Sequence, residues 1–154
     1  MFLDTTGISV LEGQTFRKVT KLNEFDSFEN EGIVFIGKET FYLTHDQSCC
    51  ERVWIEDICG DLKDLENTPI ISAKEITNKP KSEELLGQTN YALEKFNQRG
   101  QYMHEQFKEF EDENASASST WTFFKFRTIK GSVTVRFFGT SNGYYSESAS
   151  LIRI

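Results

Sequence analysis

Residues 121–129 constrain this chain more than any other stretch, because rings stand at both odd and even positions, Trp121 and Phe123 against Phe124 and Phe126. Side chains alternate across a strand, so rings on both faces call for a central strand covered on both sides. Residues 132–139 follow, with Val133, Val135 and Phe137 on one face, and then residues 144–152; turn formers stand between them at Lys130-Gly131 and Ser141-Asn142-Gly143. The pattern predicts a C-terminal three-stranded antiparallel meander.

Upstream, residues 14–23, with Phe16, Val19 and Leu22, are expected as a first strand. Residues 31–37 and 40–44 are β-rich runs joined at Gly37-Lys38-Glu39, which is a hairpin signature. Val53-Trp54-Ile55 reads as a further short strand. Ile58, Leu62 and Leu65 share a helical face, so a short helix is expected over residues 58–66; Pro69 ends it and Ile70-Ile71-Ser72-Ala73 resumes as strand. From Ser82 the period changes. Leu86, Leu93, Phe96, Met103, Phe107 and Phe110 form one stripe, which predicts a long amphipathic helix over residues 82–112, the natural cover for the two-faced strand. Ser82 with Glu83 and Glu84 suits its start, whereas Glu109, Glu111, Asp112 and Glu113 oppose the dipole at its end. The expected class is α+β: an antiparallel sheet with a C-terminal meander, one short helix and one long inserted helix. Residues 1–154 form a single domain in this reading, with residues 78–119 a helical insertion.

Fourteen Phe, five Tyr and two Trp in 154 residues point to an aromatic core. No apolar run approaches the roughly 18 residues of a membrane span, and the N-terminus has no signal-like pattern, so a cytoplasmic protein without membrane contact is expected. Three cysteines, two of them adjacent as Cys49-Cys50, fit free thiols in a reducing compartment. The net charge of −7 argues against a general nucleic-acid binder. It is unevenly spread: residues 44–66 carry seven acids against two bases, while residues 119–154 carry Lys125, Arg127, Lys130, Arg136 and Arg153 against Glu147 alone. One face of a sheet accounts for those bases as well as a binding patch does.

Residues 45–61 gather one imidazole, three thiols and five carboxylates. His45, Cys49 or Cys50, and Cys59 are ligand types that zinc prefers, but there is no CxxC knuckle and adjacent cysteines rarely both hold one ion. Asp57 and Asp61 lie one helical turn apart, which suits a hard cation or a capped, solvated helix. His45 beside a cysteine has the residue types of nucleophilic catalysis, and buried packing of the thiols accounts for them equally. Glu51 completes the polar set. Asn142, Tyr144, Tyr145 and Glu147 form a second polar and aromatic stretch, fit for recognition or for a plain hairpin. GxxxxGK[ST] and GxGxxG are absent. No cofactor is expected.

These two stretches resemble a family of short, uncharacterised phage and bacterial proteins grouped as a domain of unknown function. The resemblance rests on His45-x-Gln47-x-Cys49-Cys50-Glu51-x-Val53-x-Ile55-Glu56-Asp57-Ile58-Cys59-Gly60-Asp61-Leu62-x-Asp64-Leu65. It rests equally on Trp121-Thr122-Phe123-x-Lys125, on Thr128-Ile129-Lys130-Gly131-x-Val133-Thr134-Val135-Arg136 and on Gly139-x-Ser141-Asn142-Gly143-Tyr144-Tyr145-Ser146-Glu147-Ser148. It implies a phage accessory setting and no established activity. It also implies a short link between the motifs, against which residues 78–119 stand out as an elaboration. The resulting reading is a non-catalytic binding protein acting on a host protein, as an inhibitor of a host defence system. Its contact surface would be the acidic helix, with Glu105, Glu109, Glu111 and Asp112, or residues 45–61. The alternative is a small-ligand or metal site, with or without hydrolysis, where residues 45–61 meet residues 141–148. The sequence specifies neither the partner nor the oligomeric state.

Overall fold

The computed structural model describes residues 4–25, 28, 30–46, 51–78, 118–141 and 147–154. Nine strands account for most of them: β1 (Asp4–Thr6), β2 (Phe16–Leu22), β3 (Gly32–Gly37), β4 (Thr40–Thr44), β5 (Glu51–Cys59), β6 (Ser72–Asn78), β7 (Ser118–Thr128), β8 (Gly131–Ser141) and β9 (Ser150–Arg153). They make two antiparallel sheets, of order β1-β9-β4-β3-β2 and β5-β8-β7-β6.

The sheets pack face to face. Phe16, Ile33, Phe35, Phe41, Leu43 and Leu151 from the first meet Val53, Ile55, Phe124, Phe126, Val133, Val135 and Phe137 from the second in one core. Phe35 and Phe126 join the layers, with ring centroids 5.4 Å apart. Rings of this size bury roughly 150–250 Å² each, so the aromatic residues of the two sheets supply much of the apolar area between them.

The α+β expectation is therefore corrected. Helical structure among the described residues amounts to two 3-10 turns, Ile8–Leu11 and Leu62–Leu65; the long helix expected over residues 82–112 lies outside the described residues. The short helix over 58–66 is also corrected, since its first residues belong to β5. Pairing with β8 carries β5 past a bulge at Glu56 and on through Cys59, with Ile58 opposite Val135. The stripe of Ile58, Leu62 and Leu65 thus spans two elements, the end of β5 and the 3-10 turn Leu62–Leu65.

The meander is the third correction. β7 and β8 pair as expected, in a register running from Ser118↔Ser141 to Thr128↔Gly131, and β7 is central, between β8 and β6. The last strand does not join them. Both edges of β8 are taken, by β7 and by β5, so β9 crosses to the first sheet and pairs with β4 and β1. There Leu151 enters the core and Ile152 packs on the opposite face. Gly139 permits the crossing: a Cβ at this position would run into the carbonyl oxygen of Glu147 and stand 2.8 Å from its carbonyl carbon and 3.0 Å from Val53 Cγ2.

On the outer face of the first sheet, Val34, Tyr42 and Ile152 are covered by Phe25 and Phe28, which bond to each other through both backbone amides. Tyr42 donates its hydroxyl to the Asn30 carbonyl at 2.7 Å. Burial pushes the Tyr42 hydroxyl up from 10.0 to about 12, opposed by the Thr44 hydrogen bond and helped by Glu31 and Glu24. The unfolded phenol ionises near 10 and the folded one resists, so stability present below pH 10 is lost as pH rises toward 12. The loss is expected to be on the order of 2 kcal/mol. Urea unfolding at pH 9 and pH 11.5 checks this, and Tyr42→Phe should show the shallower fall; an equal fall would exclude Tyr42 as the source.

Candidate functional site

His45 follows β4 at the end of the sandwich where the chain passes between the sheets. Its Nδ1 lies 3.0 Å from the Ser148 carbonyl and its Nε2 lies 3.0 Å from Glu51 Oε1. A carbonyl can only accept, so Nδ1 carries a hydrogen and donates it. The Nε2 to Oε1 contact then holds a second proton, whichever atom carries it. Asn30 Nδ2 donates to the His45 carbonyl at 2.7 Å. His45 is 4% exposed and Glu51 1%, so this is a buried node joining the ends of β4, β5 and the segment before β9. Glu147 is buried beside it in sequence, and Glu51 stands opposite Ser141 in the β5–β8 register.

The structure thus unites His45 and Glu51 with the 147–148 segment, and it disperses Asp57, Cys59 and Asp61. Asp57 Oδ2 lies 3.8 Å from the Arg136 guanidinium and accepts from Cys59 Sγ at 3.6 Å, while its Oδ1 accepts from the Ile58 amide. Asp61 caps the Leu62–Leu65 turn by accepting from the Lys63 amide at 2.9 Å. Asp57 and Asp61 therefore share no helix face, because one lies in a strand and the other precedes a turn. Cys59 is exposed, at the opposite end of β5 from Glu51. Eight strand steps of about 3.3 Å place the two roughly 26 Å apart, so His45 and Cys59 cannot share a metal ion. Among the described residues no group of three His, Cys, Asp or Glu side chains is placed to hold one. Cys49, Cys50, Asn142, Tyr144, Tyr145, Glu105, Glu109, Glu111 and Asp112 lie outside the described residues.

The outward face of the second sheet carries a different constellation. Antiparallel register aligns Lys74, Lys125 and Thr134 in one row across β6, β7 and β8, and Ser72, Arg127 and Ser132 in the next. These six side chains line an open groove of about 340 Å³. Lys74, Lys125 and Arg127 are exposed and make no ion pair among the described residues. Like charges directly opposite each other across strands destabilise a sheet, and Lys74 and Lys125 are placed in just this relation.

The neighbouring row reads Ile76, Phe123 and Arg136, and beyond it stand Trp121, Phe138 and Trp54. Arg136 is already engaged. Its Nε donates to Glu56 Oε2 at 2.6 Å and its guanidinium lies 5.1 Å from the Trp121 ring centroid. Phe123 stacks on Trp121 at 6.4 Å and 22° and is partly buried, while Ile76 is 46% exposed.

A family profile described as a domain of unknown function, DUF7448, matches residues 12–151. The chain belongs to this family. The DUF7448 match takes in β2 to β8 whole and so includes the His45 node and the cation block alike. No curated protein and no solved structure matches the chain. Among the described residues of this DUF7448 protein, no helix is long and apolar enough to cross a membrane.

The cation block is what sequence reasoning missed. Lys125 and Arg127 are visible as outward positions of β7, two residues apart. Lys74 lies 51 positions earlier, and only the pairing Lys74↔Lys125 brings it alongside.

Proposed function

We propose that this DUF7448 protein is a non-catalytic binding protein that holds an anionic partner on the outward face of its second sheet. One observation supports the reading: Lys74, Lys125 and Arg127 stand together over an open groove with no carboxylate pairing them among the described residues. Three adjacent cations repel one another, and an anion supplied by a partner relieves that repulsion. The buried His45–Glu51 pair, by contrast, is bonded to Asn30 and Ser148 and offers little surface to a ligand. The phage accessory setting, a host target in the cytoplasm and inhibition of a defence system come from the family resemblance. They fit a protein that acts by occupancy rather than turnover.

The test uses the contrast between local and overall charge. At pH 7 a protein of pI ≈ 4.9 should pass through a sulfated heparin column. Retention at low salt is expected here, with elution as salt screens the block over a Debye length of about 8 Å at physiological ionic strength. The variant Lys74→Glu/Lys125→Glu/Arg127→Glu should flow through. Wild-type protein in the low-salt flow-through, or retention that survives the triple substitution, would overturn the reading.

A further inference from the structure

We infer that the groove is a nucleotide site, with the phosphates on Lys74, Lys125 and Arg127 and the base laid toward Phe123 and Ile76. This rests on the recognition surface proposed above and names its ligand. Directly opposed side chains in an antiparallel pair have Cβ atoms about 5 Å apart, and residues two apart on a strand are separated by about 7 Å. The three cations therefore converge on one group the size of a phosphate. Ser72, Ser132 and Thr134 add hydroxyl donors around the same groove.

That donor set exceeds what a carboxylate can use. A carboxylate offers about four lone-pair sites in one plane to three cations and three hydroxyls, whereas a phosphate chain supplies more oxygens in several directions. In the row beside the cations the β6 and β7 positions are apolar, Ile76 and Phe123, the ring backed by Trp121, while the β8 position is Arg136. A base stacks on such a ring whatever its identity. Glu56 and Asp57 are turned to Arg136, and neither pairs with the three cations. A long single strand fits less well than a nucleotide. Beyond a Debye length of about 8 Å it would meet a chain of net charge −7, while a small ligand within the groove meets the local cations.

Isothermal titration with ATP at low salt tests this, with tripolyphosphate, a ten-residue thymidine oligonucleotide and an acidic decapeptide as comparison ligands. ATP should bind, and Lys125→Ala and Arg127→Ala should each weaken it roughly tenfold or more, as loss of a charged hydrogen bond implies. Phe123→Leu should weaken ATP while leaving tripolyphosphate unchanged, which separates a base contact from bulk charge. The folded state of each variant is confirmed by its thermal transition. Lys125→Gln offers a second readout, because removing one of two opposed cations should give the variant a transition temperature above that of wild type, and saturating ATP should then protect wild type more than the variant. The inference is overturned by absence of ATP binding up to about 5 mM, by binding indifferent to these substitutions, or by a preference for the acidic peptide or the oligonucleotide over ATP. Heparin retention without ATP binding would leave the anionic recognition surface standing and remove the nucleotide.

Discussion

Gly139→Ala is expected to cost about 3 kcal/mol of folding stability or to prevent folding, an overpacking effect at the top of the usual range. The new methyl group would point into the space through which the backbone at Glu147 passes from the second sheet toward the first. What it meets is backbone rather than the far end of a flexible side chain, so relief requires moving the whole crossing segment. That segment is anchored on one side by Ala149 and Leu151 in the core and on the other by the Ser148 carbonyl bonded to His45. Urea unfolding followed by far-UV circular dichroism gives the measurement. A loss below about 1 kcal/mol, the common cost of an arbitrary point substitution, would show that the crossing is loosely held.

The second large effect is expected at His45. His45 and Glu51 share a buried hydrogen bond, and removing one partner of a buried pair typically costs about 3–5 kcal/mol where the pair is ionic. His45→Ala should fall in that range, because Glu51 loses its Nε2 contact and the Ser148 carbonyl loses its donor. Glu51→Gln should be much milder, about 1 kcal/mol. A carboxamide can donate to Nε2 while Nδ1 still donates to Ser148, so the same hydrogen-bond chain survives without charge. The asymmetry is the diagnostic result. Equal losses for the two variants would mean that the ionic character of the pair, rather than the continuity of its hydrogen bonds, stabilises the node.

Both residues were visible in the sequence for other reasons. His45 drew attention as a ligand or base among thiols and carboxylates, and the structure places it buried, bonded to Glu51 and to the Ser148 carbonyl. Gly139 stood in a motif with no account of why glycine was needed. The reason is a contact with a residue eight positions later, after a reversal of chain direction between two sheets. Composition and spacing carry no information about such contacts.

Where physical causes act within a few residues, the sequence was sufficient. Alternation placed Val133, Val135 and Phe137 on one face, and all three are in the core. Rings on both faces of β7 implied a central strand, and β7 lies between β6 and β8 with Phe124 and Phe126 inward and Trp121 and Phe123 outward. The hairpin expected at Gly37-Lys38-Glu39 joins β3 to β4, with Ile36 opposite Thr40.

Where the cause lies in pairing between distant segments, the sequence was silent or misleading. Pairing with β8 drew Ile58 into β5 and away from the expected helix, and β9 left the sheet of its predecessor because β5 already held the free edge of β8. The same limit applies to the outward face of the second sheet. Residues 121–129 by themselves determined that a central, two-faced strand would carry Lys125 and Arg127 outward beside Phe123. Tertiary structure alone decided that Lys74 would stand against Lys125, because strand register is set by how the two sheets share one core and not by any feature local to either strand.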